Sequence, residues 1–205
     1  MERTARREQV LKCAVRVFSR KGYHATTVSD IIAEAGVARG TFYLYFKSKR
    51  NIFDELLDDY LQRILSQVRR VDMSEGAEPP LDQMRGEVER ILGVLLGSRE
   101  LSRILLHEAV GLDADFDRKL DEFYSRLAAL TEGSLRLGQT MGLVTECDVR
   151  VASLCIIGSV KEVVDHLLIE PDALPETSIL AEEVLNIILG GLFVPSARTR
   201  PAQAP

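Results

Sequence analysis

"TTVSDIIAEAGVARGTFYLYFKSKR", residues 26–50, holds two helix-sized segments divided by a glycine-containing turn. Thr27 with Asp30 three residues on has the form of a capping box, so a helix starts there. Gly36 supplies the left-handed residue that stops it after about eight positions. After "GVA" the run "RGTFYLYF" reads as a second short helix, and Ser48 as the cap of a long one reaching about Arg70. Helices of eight residues are marginal alone in water, so both short ones must be held by packing. Upstream, Val10, Ala14, Val17 and Phe18 recur at helical steps and the pattern stops at Gly22. Three helices with this turn between the last two describe a helix-turn-helix.

Charge says what that head meets. Residues 1–50 carry eleven Lys or Arg against four acids, a balance of +7, while the remainder carries fifteen against twenty-seven, −12. A one-sign block at one end of an acidic chain points to a polyanionic partner for that end. In a helix-turn-helix the second helix enters the major groove, its first residues facing base edges and its surroundings clamping phosphates. Arg39, Gly40 and Thr41 open that helix here. Tyr43, Tyr45, Lys47, Lys49 and Thr27 surround it with hydroxyl donors and charge. Phe42 and Phe46, four apart, read as core.

The rest of the chain is helical in pattern, with expected segments at 81–97, 99–110, 114–140, 146–169 and 176–193 and a clear loop at 72–80. The reading is all-α: a DNA-binding head over 1–50, a larger acidic helical body over 51–194, and a disordered tail over 195–205. No run is apolar enough to span a bilayer and no secretion signal opens the chain, so no membrane association and a cytoplasmic location are expected. Cys13, Cys147 and Cys155 are scattered and read as buried structural thiols, with no metal site and no cofactor. Three dispersed histidines and the lack of a glycine-rich phosphate loop argue against an enzyme.

Residues 7–57 resemble the N-terminal domain of TetR-family bacterial transcriptional regulators. The family's look, "ILxAAxxLFxxxGYxxTTVxxIAxxAGVxxGxxYxYFxxKxxL", reads here "VLKCAVRVFSRKGYHATTVSDIIAEAGVARGTFYLYFKSKRNIF". The resemblance implies a homodimer on a roughly palindromic double-stranded operator and a small-molecule effector in the body. It also implies phosphate contacts from Thr27, Tyr43 and Lys49, and base-facing Arg39, Gly40 and Thr41. Tyr45 stands where many members have histidine. "DVRVASLCIIGSVKEVV" is similar to the equivalent stretch of the family's fatty-acid-metabolism regulators, which respond to acyl-CoA thioesters, so a repressor released by a lipophilic effector is expected. An activator or architectural protein without an effector is the alternative.

The body segment 114–140 places Phe116, Leu120, Phe123, Leu127, Leu130 and Leu137 on one apolar stripe. Effector contacts are expected from Leu61, Leu65, Leu105, His107, Phe116, Phe123 and Tyr124. The last two helices are more apolar than a surface should be. A dimer interface is therefore expected through Val151, Cys155, Gly158, Ile187 and Gly191.

Overall fold

A computed structural model describes residues 2–69, 71–104, 109, 111–169 and 176–190, and among them every regular element is a helix. Helix α1 (Glu2–Ala25) buries Val10, Cys13, Ala14, Val17 and Phe18 along one stripe. It breaks at Gly22, whose φ of 76° and ψ of 163° only glycine adopts without strain. The break turns Tyr23 back onto Phe18 and Phe53, at ring-centroid distances of 5.9 and 4.7 Å. Buried Thr26 seals the corner by donating its hydroxyl to the Gly22 carbonyl at 2.7 Å.

Helix α2 (Val28–Ala35) opens with a complete capping box. The Asp30 N–H donates to Thr27 Oγ1 at 3.2 Å and the Thr27 N–H to the Asp30 carboxylate at 2.9 Å. It closes on Gly36 at φ 61°. Helix α3 (Arg39–Tyr43) is five residues long, shorter than the eight-residue run suggests, because the Tyr45 N–H bonds back three residues to Phe42 and tightens the exit. Phe42 and Phe46 are fully buried, so this short helix is held by its rings.

Helix α4 (Lys49–Leu65) starts at the Ser48 cap, whose Oγ accepts from the Asn51 N–H at 3.1 Å. It ends short of the expected Arg70. The N–H groups of Gln67 and Val68 bond three residues back, and Ser66 donates its hydroxyl to the Arg63 carbonyl, so the last turn narrows and stops. The body follows as α5 (Pro80–Gly97), α6 (Arg99–Arg103), α7 (Ala114–Thr140, capped by Asp113), α8 (Val149–Ile169) and α9 (Thr177–Gly190).

One apolar cluster runs from α1, α2, α3 and α4 into Phe116, Leu120 and Phe123 of α7, so head and body share a core across residue 50. A second cluster joins Leu92 of α5, Val164 of α8 and Leu180, Ala181 and Val184 of α9. The expected α7 stripe is buried only in its first half, since Leu130 and Leu137 are 38% exposed. Cys13 is buried, whereas Cys147 and Cys155 are exposed, against the expectation of three buried thiols. Beside the first cluster, the Tyr60 hydroxyl meets Ser102 Oγ, and burial pushes the phenol up to about 12.

Candidate DNA interface and effector cavity

At the tip of the head, Arg39, Gly40, Tyr43 and Lys47 are exposed, and Thr41 and Tyr45 are partly buried. A Cβ placed on Gly40 would meet nothing within 4 Å, so the chain's own packing does not demand glycine there. The Arg39 guanidinium lies 5.8 Å over the Tyr43 ring, which steadies a long side chain at the start of α3. Leu44, 69% exposed, stands among these polar groups. Nothing in its spacing marks it in the sequence, and the tightened exit of α3 turns it outward.

The basic block is less available than its count suggests. Arg16 and Arg20 both pair with Glu34 at 3.2 Å, Lys21 reaches Asp30 at 2.6 Å, Arg7 binds Glu55, and Arg50 binds Asp113 and Asp115. The Lys21 contact and the capping bonds hold the Asp30 carboxyl well below the usual range, and the two arginines lower that of Glu34. Lys49 is also engaged. Its ammonium donates to the carbonyls of Tyr23 at 2.6 Å and His24 at 3.3 Å and sits 4.3 Å from the centre of the Tyr23 ring. It therefore ties the start of α4 to the carbonyls that follow the Gly22 break in α1, and partial burial lowers its pKa. Thr27 spends its hydroxyl on Asp30.

In the body a cavity of about 220 Å³ lies between α5, α7 and α8, closed by Ile64 of α4 and by Leu185 and Ile188 of α9. Its wall is apolar except at Glu87, Tyr124, Thr131, Ser134 and Lys161. The Thr131 and Ser134 hydroxyls donate to their own helix, to Leu127 and Leu130 carbonyls. Glu87 accepts from the Arg69 N–H at 3.0 Å, and its burial beside apolar groups pushes the carboxyl up. Leu81, Leu137 and Leu143 line the cavity while being 53%, 38% and 56% exposed, which places its mouth between the start of α5 and the end of α7. The turn at the mouth packs tightly, since a Cβ on Gly138 would lie 2.5 Å from Val144.

Of the expected effector residues, Phe123 and Tyr124 line this cavity. Leu61 and Phe116 do not: they are 5% and 1% exposed inside the cluster shared with the head, and Leu65 packs against the same cluster. Leu105 and His107 lie outside the described residues. The α5 and α8 walls, from Met84 to Ile91 and from Ile156 to Val164, were missed because a cavity-facing stripe has the same periodicity as a core-facing one.

A separate apolar face runs along α8 and α9. Val151 and Leu154 are each 56% exposed, Ile179 51% and Ile187 50%, with exposed Cys155 and Gly158 between them. Gly191 lies outside the described residues. Among the described residues no group of acidic, Cys or His side chains could hold a metal ion, and no helix is long and apolar enough to cross a membrane.

Residues 10–56 match the family model of bacterial regulatory proteins of the tetR family. The chain is 28% identical over 185 residues to the fatty acid metabolism regulator protein of Bacillus subtilis (strain 168), covering 90% of this chain and 94% of that protein. It is also 28% identical over 193 residues to an uncharacterized HTH-type transcriptional regulator, YdgC, of the same organism, covering 91% and 92%. Among solved structures, the fatty acid degradation regulator FadR of Bacillus halodurans superposes with a TM-score of 0.73 at 28% identity, over 91% of this chain and 96% of that one. FadR of Bacillus subtilis, solved in complex with stearoyl-CoA, superposes with a TM-score of 0.71 at 26% identity, over 91% and 99%.

Proposed function

We propose that this TetR-family transcriptional regulator, which resembles the family's fatty-acid regulators, is a homodimeric repressor that leaves a palindromic operator when a long-chain acyl-CoA fills the body cavity. The observation that carries the reading is the cavity itself: a mouth at Leu81, Leu137 and Leu143, and an inner end closed by Ile64, Phe123, Leu185 and Ile188. A ligand that enters tail first desolvates its methylenes there at about 0.8 kcal/mol each and leaves its polar head at the rim. The complex of Bacillus subtilis FadR with stearoyl-CoA supports the same ligand class. An architectural or activating protein without an effector has no use for such a space.

In this reading Arg39, Gly40 and Thr41 meet base edges, and Leu44 offers an apolar surface that suits a thymine methyl. Tyr43, Tyr45, Lys47 and Lys49 meet the backbone, and Thr27 does so once its hydroxyl turns from Asp30. The apolar face of α8 and α9, Val151, Leu154, Cys155, Gly158, Ile179 and Ile187, takes a second copy. The two recognition helices must then sit about 34 to 36 Å apart or at a multiple of that. The test is a duplex selected by the protein from a random pool, followed by calorimetric titration of stearoyl-CoA into free and operator-bound protein. Linkage requires operator and ligand to weaken each other by the same factor, commonly about 5-fold to 150-fold. Equal ligand affinity in the two titrations removes stearoyl-CoA as the effector.

A further inference from the structure

We propose that α7 carries the effector's signal to the DNA-binding head, through two ion-pair clusters that fix its first turns to the first turns of α4. This rests on the cavity being the effector site. The far end of α4 meets the cavity through Ile64, with Val68 and Val71 in the segment that follows, while Leu61 is in the shared core. Helix α7 is placed differently. Its 27 residues span about 40 Å at 1.5 Å per residue. Phe123, Tyr124, Leu127, Thr131, Leu135 and Gly138 give the cavity one continuous wall.

The other end of α7 is tied to the head. Asp113 caps the helix by accepting from the N–H groups of Asp115 at 2.9 Å and Phe116 at 3.2 Å. The same carboxylate takes the Arg50 guanidinium at 2.5 Å, and Asp115 takes it at 2.8 Å. Arg50 lies 5.1 Å over the Phe116 ring, which meets Phe53 edge-on at 5.3 Å. One turn further on, Lys119 reaches both Asp54 and Asp58 at 2.6 Å. Arg50, Asp54 and Asp58 are spaced i, i+4, i+8 and share one face of α4, as Asp115 and Lys119 share one face of α7. Two fixed points between two rigid helices pass on a change of tilt. Arg50 is the neighbour of Lys49, which anchors the start of α4 to α1. A ligand that shifts the cavity end of α7 therefore re-aims the helix that follows the recognition helix.

Exposed ion pairs contribute little to folding, so breaking this latch should cost function more than stability. The experiment uses full-length protein and the selected operator. Lys119→Glu should weaken ligand-free operator binding by about fivefold and bring the coupling factor with stearoyl-CoA close to one. Its affinity for stearoyl-CoA in the absence of DNA should stay within about twofold of wild type. Adding Asp54→Lys and Asp58→Lys should restore both operator affinity and coupling, which general destabilisation would not do. Wild-type operator affinity and coupling in Lys119→Glu overturn the proposal. Should wild-type protein itself ignore stearoyl-CoA, the effector reading fails. The latch is then decided by the ligand-free operator affinities: loss with restoration supports it and no loss overturns it. If Lys119→Glu unfolds, the double variant Asp113→Asn with Asp115→Asn, which keeps a capping side chain, decides in the same way.

Discussion

Lys49 anchors α4 to α1 and, in the function proposed above, also meets a phosphate; two assays on one substitution test the two roles. Its ammonium donates to the Tyr23 and His24 carbonyls at 2.6 and 3.3 Å and faces the Tyr23 ring at 4.3 Å. Lys49→Met keeps the apolar stem and removes only the charge. A charge-assisted hydrogen bond contributes about 1.5 to 3 kcal/mol, and the lower end applies to this partly solvated group. An exposed cation–π contact adds about 0.5 kcal/mol. Desolvation of the ammonium offsets part of this, so the expected loss is at most about 2 kcal/mol, or about 4 to 8 °C in melting temperature for a chain of this size. Calorimetry without DNA measures it. Operator titrations across a salt series measure the second function. Two lysines in a dimer, each on one phosphate, should lower the salt slope by about 1.8. An unchanged melting temperature refutes the anchoring of α4 to α1, and an unchanged slope removes Lys49 from the backbone contacts.

Acid should reach the head through Asp30, whose carboxyl is held below its ordinary 3.8 first by Lys21 and then by its bonds to Thr27. A lowered folded-state value gives stability that is present above the ordinary value and lost as pH falls through the folded one. The advantage of wild type over Asp30→Ala in urea unfolding should therefore shrink below pH 3.8, and a constant difference down to pH 2 would contradict the pairing. On the other face of the molecule, Leu154→Glu puts a charge in the middle of the exposed α8 stripe. Light scattering should then give the mass of one chain, with operator affinity falling by at least about tenfold as one half-site is lost. A dimer of undiminished stability would move the interface elsewhere.

The head was legible because its determinants are local. Thr27, Asp30, Gly36 and Ser48 each set a helix boundary through a bond or a backbone angle fixed within four residues, and Phe42 with Phe46 announce burial by spacing alone. The body was legible as helices and not as a site. Periodicity marks Phe116 and Phe123 as apolar on one stripe but does not distinguish a stripe that meets other side chains from one that meets empty space. Phe116 packs under Arg50, while Phe123 faces the cavity. Charge behaved the same way. Counting gave the head +7, but whether a cation faces DNA or a neighbouring acid depends on partners distant in sequence. Arg16 and Glu34 are 18 residues apart and Arg50 and Asp113 are 63 apart. Arg50 counted as part of the DNA-facing block, and in three dimensions it is bound to α7. That one side chain converts a patch of charge into a joint between head and body, a contact that shows only once α4 and α7 are seen side by side.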